Sequence, residues 1–533
     1  MTVDHVLRQQ IDRRRTFAII AHPDAGKTTL TEKMLLYAGL LRTAGLVKDR
    51  KRSNQAASDW MGMEQERGIS ITASAMQYQY KGMVVNVLDT PGHQDFSEDT
   101  YRTLTAADCA VMMIDVAKGV EAQTRKLFAV CRLRNIPVLT FINKCDLPGR
   151  DPLDLLAEVE EVLGIQACAW NWPVGSGQDF VGVVDRAQRE LVRFTKTSSG
   201  GAHRAGLQRL PLSEAATACP DHDWEAINDT LTLLDEAGNP YSDDAFRACA
   251  VTPVFFGSAL TNFGVEPFYD ALIDIAPPPS RRPATAIDDG SARLIDPLTD
   301  ALSAYIFKIQ ANMDPRHRDV IAFARIVSGH FRRDQPVKHY HHGTLLRSVR
   351  LSRPNAMVAC DRATLDEAFP GDIVGFLGTG FAIGDTIADQ GGFIFPPLPT
   401  FPAESFAQVS PRDLGKRKPF DKGLSQLAEE GTVQILRHFD NPLAPPMVAG
   451  VGRLQFDVLQ YRLENEYGVA TRLEPMRYTC SAWLEGDPQS FTRNADTLLC
   501  RDYRDRPVVL FSTTWDRDYT ARQNPDHRLL EMA

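Results

Sequence analysis

Five short apolar runs, at residues 17–20, 84–88, 110–114, 138–142 and 254–256, recur along the first half of the chain with amphipathic segments between them. Continuous apolar strands alternating with helices predict a parallel sheet covered on both faces, and such sheets bind ligands outside the carboxyl ends of their strands. Between 180 and 249 the pattern carries an extra piece, with short strands expected at 181–184 and 190–194, a helix near 223–234, and a surface loop at 198–212. A proline-rich break, Pro277-Pro278-Pro279-Ser280-Arg281-Arg282-Pro283, ends this half. From Ala304 the pattern becomes short alternating runs, at 305–309, 320–326, 344–349 and 372–375, split by Gly and Pro turns. No long helix intervenes, which predicts a β-barrel. Beyond Pro397-Leu398-Pro399, strands at 405–409, 433–436, 448–451 and 469–473 and helices at 419–430 and 455–466 predict an α+β sandwich, with one more strand at 508–511.

Length and composition fit that division. At 533 residues the chain is long enough for several domains, and 24% charged and 43% hydrophobic residues are ordinary for globular protein. A net charge of −9 argues against a protein that coats nucleic acid non-specifically, although basic clusters at 13–15, 48–52 and 416–418 are candidate local faces. Nine scattered cysteines without a Cys-x-x-Cys pair indicate neither a zinc site nor a disulfide framework. Residues 1–15 are polar and basic, and no run approaches the roughly 18 apolar residues of a membrane span, so a cytoplasmic protein without a membrane partner is expected.

Each candidate motif lies at the end of an apolar run. Ala21-His22-Pro23-Asp24-Ala25-Gly26-Lys27-Thr28 follows the first and precedes a helix start. Strand, tight loop and helix form a phosphate cradle: loop N–H groups and the helix dipole face the anion, Lys27 reaches the outer phosphates, and Thr28 offers Mg²⁺ a hydroxyl. Asp89-Thr90-Pro91-Gly92-His93 ends the second run. Asp89 is placed to hold a Mg²⁺-bound water and Gly92 to bring its N–H to the terminal phosphate. Asn143-Lys144-Cys145-Asp146 ends the fourth. The Asp146 carboxylate can accept from guanine N1–H and the exocyclic amine, while Lys144 lies along the base; adenine would leave that carboxylate unpaired. Ser258, Ala259 and Leu260, after the last run, are suited to offer N–H groups to the guanine carbonyl. The nucleotide is therefore read as GTP/GDP with Mg²⁺.

With these four motifs in this order the chain resembles the translational GTPases, the family of elongation, initiation and release factors. The resemblance implies an α/β P-loop GTPase domain at 1–280 with an insertion at about 180–250, a linker at 281–300, a β-barrel domain II at 301–395, and an α+β (ferredoxin-like) sandwich domain III at 400–533. The stretch 59–72 is similar to the family's first switch, and Ser70, where the family has threonine, then takes the hydroxyl role on Mg²⁺ and the γ-phosphate. His93 matches the family's catalytic histidine, which positions the attacking water and is completed by the sarcin-ricin loop of large-subunit ribosomal RNA. Phe307-Lys308-Ile309-Gln310, Pro370-Gly371-Asp372-Ile373 and Ile383-Gly384-Asp385-Thr386 look like the second domain of these factors.

The wording 423–431, 451–458, Arg462-Leu463 and Glu466-Tyr467, together with Pro23, resembles the GTPase of the release-factor branch. That resemblance implies a ribosome-dependent GTP hydrolase of translation termination, acting as a monomer on the termination complex to dissociate class-1 release factors. No Gly-Gly-Gln is present for peptide release, and only about sixty residues follow the sandwich, too few for the further domains of a translocase. A shortened elongation factor G-like or ribosome-protection GTPase is the alternative. His339-Tyr340-His341-His342 invites a metal reading, but no acidic or cysteine partner stands at ligand spacing in sequence.

Overall fold

The computed structural model describes residues 3–41, 64, 71–195, 203–299, 301–311, 319–351, 354–358, 361–378, 380–398, 400–441 and 444–530. Its first sheet has seven strands: β1 Arg14–Ala21, β2 Ser74–Tyr80, β3 Met83–Asp89, β4 Cys109–Asp115, β5 Val138–Asn143, β6 Gln166–Ala169 and β7 Val251–Phe256, in the order β2-β3-β1-β4-β5-β7-β6. All neighbours are parallel except the edge pair β2 and β3. Every residue of β1, β4, β5 and β7 is buried, which is why these strands read as continuous apolar runs. Alternation persists at the level of faces. Ala18, Ile20, Met112 and Ile142 join one core and Phe17, Ile19, Met113 and Phe141 the other. The connecting helices include α1 Val3–Asp12 before the sheet, then α2 Lys27–Tyr37, α3 Ser97–Thr105, α4 Ala122–Leu133, α5 Pro152–Leu163 and α6 Val265–Ile275.

Three expectations change here. The inserted piece is a four-stranded antiparallel sheet, and its outer strand, Gly206–Pro211, occupies most of the described part of the stretch expected as a surface loop. This edge strand has no residue classed as buried, so no apolar alternation marks it. In the stretch expected as a linker, Arg282–Ala286 and Ala292–Ile295 form a hairpin that Phe393–Ile394 extends to three strands. After residue 480 there are four strands where one was expected, Cys480–Glu485, Thr497–Arg501, Pro507–Phe511 and Arg528–Leu530. They continue the sandwich sheet to eight strands.

The barrel is antiparallel and includes Ser303–Ala311, Val320–Ser328, Pro336–His341, Thr344–Arg350, Ile373–Leu377 and Thr386–Ala388, around Ile306, Ile326, Phe331 and Val374. In the last domain α7 Arg417–Glu429 and α8 Leu454–Asn465 pack Phe420, Leu424, Leu427, Leu459 and Leu463 against Val409 and Val448 of the sheet. A third helix, α9 Thr514–Gln523, follows the added strands.

Buried charge joins the barrel to the first domain. Asp108, before β4, accepts from Arg325 Nη2 at 2.6 Å and Arg282 Nη2 at 2.9 Å, and Arg14 donates to Asp372 at 2.9 Å. Arg325 also donates to the Ala106 and Gly371 carbonyls. These contacts fix the barrel beside the sheet whose carboxyl ends carry the motifs.

Candidate nucleotide site

Parallel pairing brings the motif-bearing strand ends together. β1 sets Ile19 beside both Asp89 and Val111, and β4 sets Asp115 beside Asn143. The loop after β1 turns sharply, with Asp24 at φ 65° and Gly26 at φ 100°, the left-handed region that Gly26 adopts without cost. Space also demands glycine there, because a Cβ would fall on the Asn143 amide nitrogen. Lys27, almost buried at the start of α2, places its ammonium 3.5 Å from the Ala21 carbonyl. A Cβ on Gly92 would strike that ammonium, so the turn after β3 lies directly against the phosphate-loop lysine. Thr90 donates to the Ile19 carbonyl at 2.6 Å and ties the same turn to β1, with Pro91 buried behind it.

Asp89, 2% exposed, ends β3, and the partly buried Thr28 opens α2 beside Lys27. A hydroxyl and a carboxylate are hard oxygen donors that fit Mg²⁺, an ion that relies mostly on water and substrate phosphates. Ser70, the other hydroxyl assigned to this ion, lies outside the described residues.

The end of the site expected to read the base is built around Asn143. Its amide donates to the Ala25 carbonyl at 2.7 Å and its oxygen accepts from Ala259 N–H at 2.8 Å, so one side chain fastens the phosphate loop to the 258–260 turn. Cys145 N–H adds a bond to the Gly257 carbonyl. Lys144, at φ 71°, donates to Asp115 at 2.7 Å. Burial pushes the Asp115 carboxyl up, but hydrogen bonds from Lys144 and Ala117 and the lysine charge outweigh it and hold the group below its ordinary range. Asp146 keeps its Oδ1 buried with no hydrogen-bond partner among the described residues, and such an acceptor fits a guanine edge. Ser258 and Ala259 are fully buried while Leu260 is 45% exposed. Burial pushes the Cys145 thiol up to about 12, which makes it an inert wall rather than a nucleophile.

His93 stands at the start of the turn before α3. Its Nδ1 accepts from Asp95 N–H at 3.2 Å and lies 3.3 Å from the Asp95 carboxylate, and the ring is about one-third exposed. Phe96, Ile71 and Val458 of α8 form an apolar cluster across the domain boundary. Lys308 of the barrel donates to the Ala73 carbonyl and to Asp99 of α3. Arg462 of α8, 1% exposed, pairs with Glu430 at 2.8 Å and Glu466 at 2.6 Å and reaches the Ala311 carbonyl of the barrel. The region around the turn is thus in contact with both other domains.

Two site residues escaped sequence reasoning. Asp115 ends an apolar strand as Asp89 does, and that parallel was the available signal. Asp95 stands two residues after His93. The histidine cluster does gain an acid through the fold: Asp385 meets His339 Nε2 at 2.5 Å and His341 Nδ1 at 2.6 Å. Among the described residues no three metal-binding side chains gather to hold an ion. His22, at the loop's start, pairs with Glu121 at 3.2 Å; Pro23 packs against Gly92.

Comparison with known proteins matches the parts in the same order. Residues 12–278 match the family described as Elongation factor Tu GTP binding domain, residues 301–390 Elongation factor G domain 2, and residues 395–521 Class II release factor RF3, C-terminal domain. A peptide chain release factor 3 from Synechocystis is 47% identical over 99% of this chain and 96% of its own length. Proteins of the same name from Gloeobacter violaceus (47%, covering 99% of both chains) and Symbiobacterium thermophilum (48%, 97% of both) are similarly related. A crystal structure of a Thermus thermophilus protein superposes with a TM-score of 0.67 at 21% identity, over 87% of this chain and 67% of that one, and shares the fold.

Proposed function

The chain belongs to the peptide chain release factor 3 family of translational GTPases, and from that premise we propose that it hydrolyses GTP on the ribosome to drive class-1 release factors off the termination complex after peptide release. It is a GTPase of translation termination, and the elongation-type alternative is not favoured. The observation that carries the mechanism is the turn from Gly92 to Asp99, which touches the phosphate-loop lysine at one end and the barrel at the other. GTP held by Lys27, by N–H groups of the 21–28 loop and by Gly92 favours one arrangement of that turn. The nucleotide can move the outer domains only by the difference in its affinity for two arrangements. Hydrolysis removes the γ-phosphate, frees the turn and lets the factor leave.

Thr28 and Ser70 would hold Mg²⁺, with Asp89 on a water bound to it, and the ion would supply charge neutralisation at the phosphates. Asp146 and Lys144 read and cover the guanine, and Ser258, Ala259 and Leu260 offer N–H groups to its carbonyl. His93 positions the attacking water once the sarcin-ricin RNA loop orients it. The protein works as a cytoplasmic monomer; among the described residues no helix is long and apolar enough to cross a membrane. His93→Ala is expected to bind GTP normally and to lose ribosome-stimulated turnover by on the order of 10²-fold or more. Turnover measured with and without ribosomes decides this: near-normal stimulation in the variant removes His93 from the mechanism, and equal turnover without ribosomes removes the ribosome.

A further inference from the structure

The stretch 451–456 is specific in wording yet has no task in nucleotide binding. In the fold it lies on the switch turn. Leu454 N–H, at the start of α8, donates to Asp95 Oδ2 at 2.8 Å, across 359 residues of sequence. Gly452 presses on the same group so closely that a Cβ there would coincide with the Asp95 carboxylate. Gln455 shapes the turn: its oxygen accepts from Val451 N–H at 2.7 Å and Gly452 N–H at 3.3 Å, and its amide donates to the Thr432 carbonyl at 2.9 Å. Asp95 is 6% exposed, and its backbone N–H is the donor that holds the His93 ring.

We propose that Asp95 is a positioning residue for His93 and that the Gly452–Gln455 turn of the last domain sets it. The chain of contacts is short. Leu454 N–H and Gly452 fix the carboxylate; the fixed carboxylate fixes the turn Gln94–Phe96; the turn presents Asp95 N–H to His93 Nδ1. With Nδ1 turned to the Asp95 N–H and carboxylate, His93 offers its Nε2 edge to water. Wherever the ribosome holds the last domain, it thereby also sets the histidine, independently of any RNA contact to the ring. Glycine is required at 452 because only a residue without Cβ lets the backbone close on Asp95.

This inference rests on the assignment of His93, so the test carries His93→Ala as a separate arm. Ribosome-stimulated GTP turnover, GTP affinity and hydrogen exchange of the 90–100 peptide are measured for the full chain and for Asp95→Ala, Gly452→Ala and the double variant. Each single variant is expected to lose about tenfold or more in stimulated turnover at unchanged GTP affinity, a scale reasonable for a misplaced catalytic group. The 90–100 peptide exchanges faster in both. The double variant loses no more than either single one, because removing the carboxylate also removes the collision with the added methyl. Independent, multiplying losses, or single variants within about twofold of the parent while His93→Ala is inactive, overturn the inference alone. An active His93→Ala overturns the assignment beneath it. Asp95→Asn supplies a second measure, since its side-chain oxygen still accepts from Leu454; it is expected to recover turnover relative to Asp95→Ala, and failure to do so counts against the positioning role.

Discussion

Asp146 is the residue proposed to decide which base the site accepts. Its buried, unpartnered oxygen costs on the order of 1–3 kcal/mol when nothing pairs with it, and guanine supplies the donors that recover this. Asp146→Asn reverses the polarity of one contact. It is expected to weaken GTP binding by about 1–3 kcal/mol and to favour xanthosine triphosphate, as read by competition binding; unchanged guanine preference would contradict the base-reading role. Asn143 shows a different logic, because both ends of its amide are spent on the Ala25 carbonyl and Ala259 N–H. Its work is to lock two loops. Motif spacing placed Asp89 and Asn143 at strand ends, and Lys27 at the helix start after the first strand's loop, from sequence alone, since each motif follows a continuous apolar run. It could not show that Asn143 faces protein groups, nor that Asp95 is gripped from 359 residues away, because neither partner is local.

At the scale of elements, the all-buried strands of the first sheet were legible because burial on both faces writes an uninterrupted apolar run. The exposed strand Gly206–Pro211 and the hairpin Arg282–Ala286 with Ala292–Ile295 were not. Gly206–Pro211 and Ala292–Ile295 are exposed edge strands that leave no apolar pattern to read, and Arg282–Ala286, central in its small sheet, buries only the small side chains of Ala284 and Ala286. Charge pairing across elements was equally hidden. Asp108 holds Arg325 and Arg282 in buried contacts between the first domain and the barrel, and its removal leaves both guanidinium groups uncompensated. Asp108→Ala is expected to cost about 3–5 kcal/mol, seen as a lower midpoint for the first unfolding transition and faster hydrogen exchange at the 106–108 and 371–373 segments. A stability within about 0.5 kcal/mol of the parent would mean that this cluster is not what joins the two domains.

For the whole molecule, the order of parts is the message. The turn Gly92–Asp99 is touched by the barrel and by the last domain, and in the proposed function this lets the presence of one phosphate set the placement of two domains. Strand and helix periods in the sequence announced all three units, and the chemistry of the phosphate loop announced the nucleotide. The contacts among the units, Lys308 with Asp99 and Leu454 with Asp95, became visible only in three dimensions. The most direct test is the dissociation rate of a fluorescently labelled class-1 release factor from a termination complex after peptide release, with this protein and GTP or GDP. Faster dissociation with GTP than with GDP or with no added protein is the predicted result; a rate that GTP and the protein leave unchanged would contradict the proposed recycling function.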